Sequence, residues 1–169
     1  MCIRDRVQPE PDDVTKYDIP EIRPFDFALA EFSFDHVVLR QKVKRAETAG
    51  VKEVWQAVLD SGVRLSWNEE NPFPKLFVVY SGQVKVKVDG EKDFVANERD
   101  ILHIPSYLAG SIETTEDTIL LDYNCEGFLF RALEEIKALK VQSPEKLQDS
   151  DLVKALLRKH DCHIWFEKL

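Results

Sequence analysis

The sequence predicts a mainly β chain: two stacked antiparallel sheets forming a sandwich or barrel, preceded by an extended arm and followed by helices. Three observations lead there. Short apolar runs recur at roughly ten-residue spacing through the middle of the chain, separated by turn residues, which is the pattern of a sandwich or barrel. Two runs, Val63-Arg64-Leu65-Ser66-Trp67 and Val84-Lys85-Val86-Lys87-Val88, alternate strictly, the period of a half-buried strand. After Gly127 the apolar residues change to helical spacing.

Taken in order, residues 1–24 form an N-terminal extension. The opening Met1-Cys2-Ile3-Arg4-Asp5-Arg6 resembles translated sequencing adapter, as found at the ends of metagenomic gene models, and is read as non-native. Pro9, Pro11, Pro20 and Pro24 remove backbone donors and disfavour helix, so this arm is extended. Phe25, Phe27, Phe32 and Phe34 mark where the arm docks, and the pattern there fits helix or strand. His36 to Lys44 is a first strand, rich in β-branched and apolar residues. Val54 to Trp67 reads as a hairpin turning at Asp60-Ser61-Gly62. Leu76–Tyr80 is a continuous apolar strand, and Val84–Val88 turns at Asp89-Gly90 into Phe94-Val95. Ile101–Ile104 is stopped by Pro105, and Thr118–Tyr123 is the last strand of a barrel spanning residues 25–127. The segment 128–169 carries a helix with Phe130, Leu133 and Ile136, a helix start at Ser143-Pro144, a further helix capped near Asp149, and a short strand over His163-Ile164-Trp165-Phe166.

Composition narrows the function. A net charge of −8 argues against nucleic acid, which calls for a basic face, and against an anionic membrane surface. No apolar run is long enough for a membrane helix. The three cysteines, Cys2, Cys125 and Cys162, are odd in number and have no CxxC spacing, so a reducing, cytoplasmic location is expected.

The stretch from Gly62 to Tyr123 resembles the cupin family. The residues that carry the resemblance are Leu76-Phe77-Val78-Val79-Tyr80-Ser81-Gly82-Gln83-Val84, Val88-Asp89-Gly90, Asp100-Ile101-Leu102-His103-Ile104-Pro105 and Ile119-Leu120-Leu121-Asp122-Tyr123. The resemblance implies a single double-stranded β-helix, or jelly-roll barrel, open at one end around a small-molecule pocket. The first cupin motif spaces glycine, His-x-His, glutamate and glycine. Here that frame reads Gly62, Asn68-Glu69-Glu70, Lys75 and Gly82. A one-residue slip puts Glu69 and Asn71 in the histidine slots and restores no histidine. Of the second motif only Pro105 matches, and Gly110 stands where a histidine would. A metal there needs imidazoles and a carboxylate converging on one point. An ammonium about 4 Å from a divalent ion costs on the order of 8 kcal/mol at an effective dielectric near 20. No metal and no cofactor are therefore expected.

The leading reading is a metal-free binding or regulatory module that holds a small polar or anionic ligand. Lys75, Glu70, Asn68, Trp67 and Tyr123 are its candidate contacts, and Glu70 is a candidate partner for Lys75. A homodimer, with the arm and the C-terminal helices at the interface, is also expected. The alternative is a metal-independent isomerase, epimerase or lyase acting on a sugar or small acid. There His103, expected to face inward, would be the base, and Tyr80 or Tyr107 the acid. A third possibility is a metalloenzyme with atypical ligands from Glu69, Glu70, His103 and His36. His160, Cys162 and His163 form a further cluster that lacks a fourth ligand.

Overall fold

A computed structural model of the chain describes residues 22–48, 50–125 and 127–167. The expected arm and the adapter-like start therefore lie almost wholly outside the described residues. Eleven strands and two α-helices are found among those described. The strands are β1 (Ala30–Ser33), β2 (Val37–Val43), β3 (Glu53–Leu59), β4 (Arg64–Trp67), β5 (Lys75–Ser81), β6 (Gln83–Val88), β7 (Phe94–Asn97), β8 (Ile101–Ile104), β9 (Gly110–Thr114), β10 (Thr118–Cys125) and β11 (Ile164–Phe166). The helices are α1 (Leu129–Gln142) and α2 (Ser150–Lys159).

The strands form two antiparallel sheets, one in the order β1-β2-β3-β10-β5-β8 and the other β11-β4-β9-β6-β7. From β3 to β10 the chain changes sheet at every connection except the β6–β7 hairpin, so these eight strands interleave as two Greek keys do in a jelly roll. One expectation changes here. Residues 54–67 are not a hairpin: β3 pairs with β2 and β10, whereas β4 pairs with β9 and β11. The turn at Gly62 carries the chain from one sheet to the other. Gly82 does the same between β5 and β6 at φ +85°, with Asp117 and Thr118 so close that a Cβ has no room. The Asp89-Gly90 hairpin forms as expected, pairing β6 with β7. The sheets do not close into one continuous barrel.

Alternation decides which side chains meet between the sheets. Val84 and Val86 of β6 are fully buried, while Lys85 and Lys87 point to solvent. On the facing sheet Trp55, Leu59, Phe77, Val79 and Leu120 supply the opposing wall. β9 was not legible, because only Ile112 of its Gly-Ser-Ile-Glu-Thr sequence is a large apolar residue. It forms because it lies between β4 and β6, where both of its edges find ladder partners.

The C-terminal segment joins the two-sheet body. β11 adds to the edge of β4, with Ile164 opposite Trp67 and Phe166 opposite Leu65. Helix α1 buries Ala132, Leu133 and Ile136, and Phe130 meets Phe32 edge-to-face at 5.7 Å. No side chain caps its N-terminus from Phe128. Instead the buried carboxylate of Glu53 accepts from Phe130 N (3.4 Å) and from Trp55 Nε1 (2.7 Å), meeting the unsatisfied first turn from another element. The start expected at Ser143 is a 3-10 helix over Pro144–Gln148. Asp149 caps α2, accepting from Asp151 N and Leu152 N. Ahead of β1, Phe25 stacks on Tyr80 at 3.9 Å and Arg23 pairs with Glu47, so this stretch docks on the body as its aromatics suggested.

Candidate functional site

A cavity of about 80 Å3 lies between the sheets on the side that α1, α2 and β11 cover. Its walls are largely apolar: Leu39, Trp55, Leu65, Phe77, Leu120 and Leu133 all line it. Its polar groups come from separate stretches of chain. β5 brings Lys75, β10 brings Asp122, and the turn between α2 and β11 brings Asp161, Cys162 and His163. Asn71, in the loop before β5, completes the rim.

Lys75 is the central group. Inward parity on β5, shared with Phe77 and Val79, buries it to 2% exposure. Its ammonium donates to the Phe73 carbonyl at 3.3 Å and lies 5.3 Å from the centre of the Trp67 ring. Burial pushes its pKa down from 10.5 to about 8, against the opposing pull of the Asp122 carboxylate. His163 is half-buried and stands edge-on to Phe73 at 6.4 Å. Burial lowers its pKa; Arg158 and Lys75 push the same way, while Asp161 and Glu70 oppose them. Its imidazole is therefore neutral at pH 7. Cys162 is buried, donates weakly to the His160 carbonyl at 3.6 Å, and has its thiol pushed well up by desolvation, which keeps it protonated.

Three buried polar atoms where β4 meets the start of β11 have no hydrogen-bond partner among the described residues: Trp67 Nε1, Asn68 Oδ1 and His163 Nδ1, and of the three residues His163 lines the cavity. The β4–β11 register explains their proximity, since Ile164 opposite Trp67 places His163 alongside Asn68. A buried polar atom left unpaired costs about 1–3 kcal/mol, so the His163 nitrogen, on a cavity wall shared with the Lys75 ammonium, marks a place suited to a polar guest.

The other expected site residues are placed differently. His103, expected to face inward, is exposed: on β8 it is Leu102 and Ile104 that point in. Tyr80 is 46% exposed on the outer face of β5, and Tyr123 takes the outward parity of β10, leaving Asp122 to face the cavity. Tyr107 is 65% exposed in the loop between β8 and β9. Glu70 does not pair with Lys75; it accepts from Asn68 Nδ2 (3.0 Å) and pairs with Arg158 of α2 at 3.2 Å. Trp67, a candidate contact, is buried in the core and presents its face to Lys75. Asp122 and Asn71 were not singled out as pocket groups. The parity of β10 could have signalled Asp122, but no pattern in the sequence brings His163 to Lys75.

The strand order and the Gly62–Gly82 spacing together define the architecture. The fold is a jelly-roll type of double sheet. Solved structures are similar to it at low identity. An RmlC-like cupin from Shewanella frigidimarina aligns with TM-score 0.49 and 14% identity over 62% of this chain and 88% of its own. A cupin superfamily protein from Desulfitobacterium hafniense aligns with TM-score 0.47 and 15% identity over 62% and 91%. Ectoine synthase from P. lautus aligns with TM-score 0.45 and 8% identity over 54% and 67%. No family model and no curated protein matches the sequence.

The residues in this frame do not fit the divalent metal that the cupin resemblance brings to mind. Lys75 holds an ammonium where a carboxylate would be needed, and Asn68 and Glu70 are turned to each other and to Arg158. Gly110 has no donor and no room for one: a Cβ there would lie 2.3 Å from the Lys87 carbonyl oxygen and 3.0 Å from Trp67. Among the described residues no three His, Cys, Asp or Glu side chains come together as a metal site. Nor is any described helix long and apolar enough to cross a membrane.

Proposed function

We propose that this cupin-type chain binds a small molecule directly, without a metal, placing an oxygen-bearing polar head against Lys75 and a short apolar body between the sheets. The observation that carries this is Lys75 itself: an almost fully buried ammonium facing a cavity whose walls are otherwise mostly apolar. A buried cation held by one long bond to a carbonyl and by the Trp67 face is still costly to keep unless something fills its place. His163 Nδ1 adds a second polar contact that can donate or accept. About 80 Å3 holds roughly five water-sized groups, so the guest is a short carboxylic acid or carbonyl compound, well below the size of a nucleotide or a disaccharide.

The isomerase alternative rests on His103, Tyr80 and Tyr107 converging on one cavity, and their exposed positions do not favour it. The test is binding of short-chain carboxylates, with butanoate as probe, followed by ligand-observed NMR. Lys75→Met should weaken butanoate binding by about tenfold or more, the scale of a lost charge-assisted hydrogen bond. If butanoate does not bind, or binds Lys75→Met equally well, the proposal fails.

A further inference from the structure

The cavity holds two potential nucleophiles, Lys75 and Cys162. Desolvation disarms the thiol, because it raises the cost of forming the thiolate. The same burial has the opposite effect on an amine: its reactive form is the neutral one, and an apolar enclosure favours it. Lys75 sits where such an amine would need to sit. It faces the cavity, the Trp67 ring lies to one side, and the Asp122 carboxylate lines the same space close enough for its charge to act on the amine.

From this geometry we infer that Lys75 is an amine nucleophile that captures a short, uncharged aldehyde or ketone as an imine inside the cavity. The inference rests on the proposed binding reading and adds covalent chemistry to it. Asp122 takes one proton from the Lys75 ammonium. The freed nitrogen pair attacks the carbonyl carbon, and the C=O π pair moves onto oxygen. A nitrogen proton passes to that oxygen to give the carbinolamine. Asp122 then returns its proton to the hydroxyl, which leaves as water while the nitrogen pair closes the C=N bond. The net change is ammonium plus carbonyl to iminium plus water, with charge conserved and no oxidant or reductant required.

The walls select the substrate. Leu39, Leu65, Phe77 and Leu120 offer no partner to a second charged group. A simple aliphatic chain instead finds matching surface. The charged and titratable groups that line the cavity with the amine are Asp122 from β10 and Asp161, Cys162 and His163 from the turn leading to β11.

The experiment uses the full chain with butanal and cyanoborohydride at pH 7, read by peptide mass mapping. Exposed Lys85 and Lys87 are internal controls on the same molecule. A pKa of about 8 against an ordinary 10.5 gives Lys75 on the order of 300-fold more free amine at pH 7. Lower basicity and slower entry reduce that advantage, so labelling at least about tenfold faster than at Lys85 and Lys87 is expected, with butanoate slowing it. Lys75→Arg, checked for folding by circular dichroism, should lose the fast-labelled site. Labelling at Lys75 no faster than at Lys85 and Lys87 overturns the inference. If that happens while butanoate still binds through Lys75, only the covalent step is wrong; if butanoate also fails to bind, the binding reading falls with it.

Discussion

Lys75→Met should make the folded protein more stable at neutral pH, and the gain should fade as the pH rises. Lys75 has a folded-state pKa of about 8 against 10.5 for an unburied lysine. That drop of about 2.5 corresponds to roughly 3 kcal/mol, the cost of keeping its charged form inside the fold. Below pH 8 the side chain is protonated in both folded and unfolded states, so the whole cost is present. Between pH 8 and 10.5 the unfolded chain binds more protons than the folded one, and stability rises with pH. Above 10.5 the cost is gone. Methionine fills a similar volume with no charge, but it forfeits the contacts to the Phe73 carbonyl and the Trp67 face, which lowers the expected gain to about 2 kcal/mol.

The assay is urea unfolding of both proteins from pH 7 to 9.5. Comparing the two cancels the titration of groups that do not feel Lys75, and His163, whose pKa lies below its ordinary value, is neutral across this range. At pH 7 the variant should be more stable by about 2 kcal/mol, or about 4–8 °C in Tm for a chain of this size. By about pH 9.5 more than half of the charge cost should have gone. A variant less stable than the parent at pH 7, or a difference between them that does not move with pH, would refute the claim that Lys75 is held as a strained cation.

Two further predictions concern the frame around the site. Gly110→Ala should destabilise by about 1–3 kcal/mol in urea unfolding, because its Cβ would press on the Lys87 carbonyl and the Trp67 ring; an unchanged midpoint would show that β9 and β4 can separate without cost. Asp149→Ala removes the side chain that accepts from Asp151 N and Leu152 N at the start of α2. About 1 kcal/mol of stability should be lost, read as a shift in Tm, and no shift would mean that water caps the helix equally well.

Much of the architecture was legible because it depends on local rules. Strict alternation in Val84–Val88, the Asp89-Gly90 turn and the helical spacing of Leu133 and Ile136 each act within a few residues, and each formed as read. The hairpin expected over 54–67 shows where such rules stop. Gly62 signals a turn, but whether the next strand pairs beside the last or crosses to the facing sheet depends on partners far along the chain, here β9, β10 and β11. The inward orientation expected for His103 failed for a related reason. Ile101 and His103 share one parity and Leu102 and Ile104 the other; both sets contain apolar residues, so the sequence of β8 does not say which faces the core.

By itself the sequence determined a two-sheet β frame and the two replacements that set its chemistry, Lys75 and Gly110, because strand period, turn residues and motif spacing are properties of adjacent residues. The tertiary structure alone decided that Lys75 is buried, that Glu70 turns away to Arg158, and that Asp122 and His163 stand beside the amine. The reason is physical. The solvation of an ammonium, and with it its pKa and reactivity, is set by whatever packs around it, and here that includes a turn lying nearly ninety residues downstream.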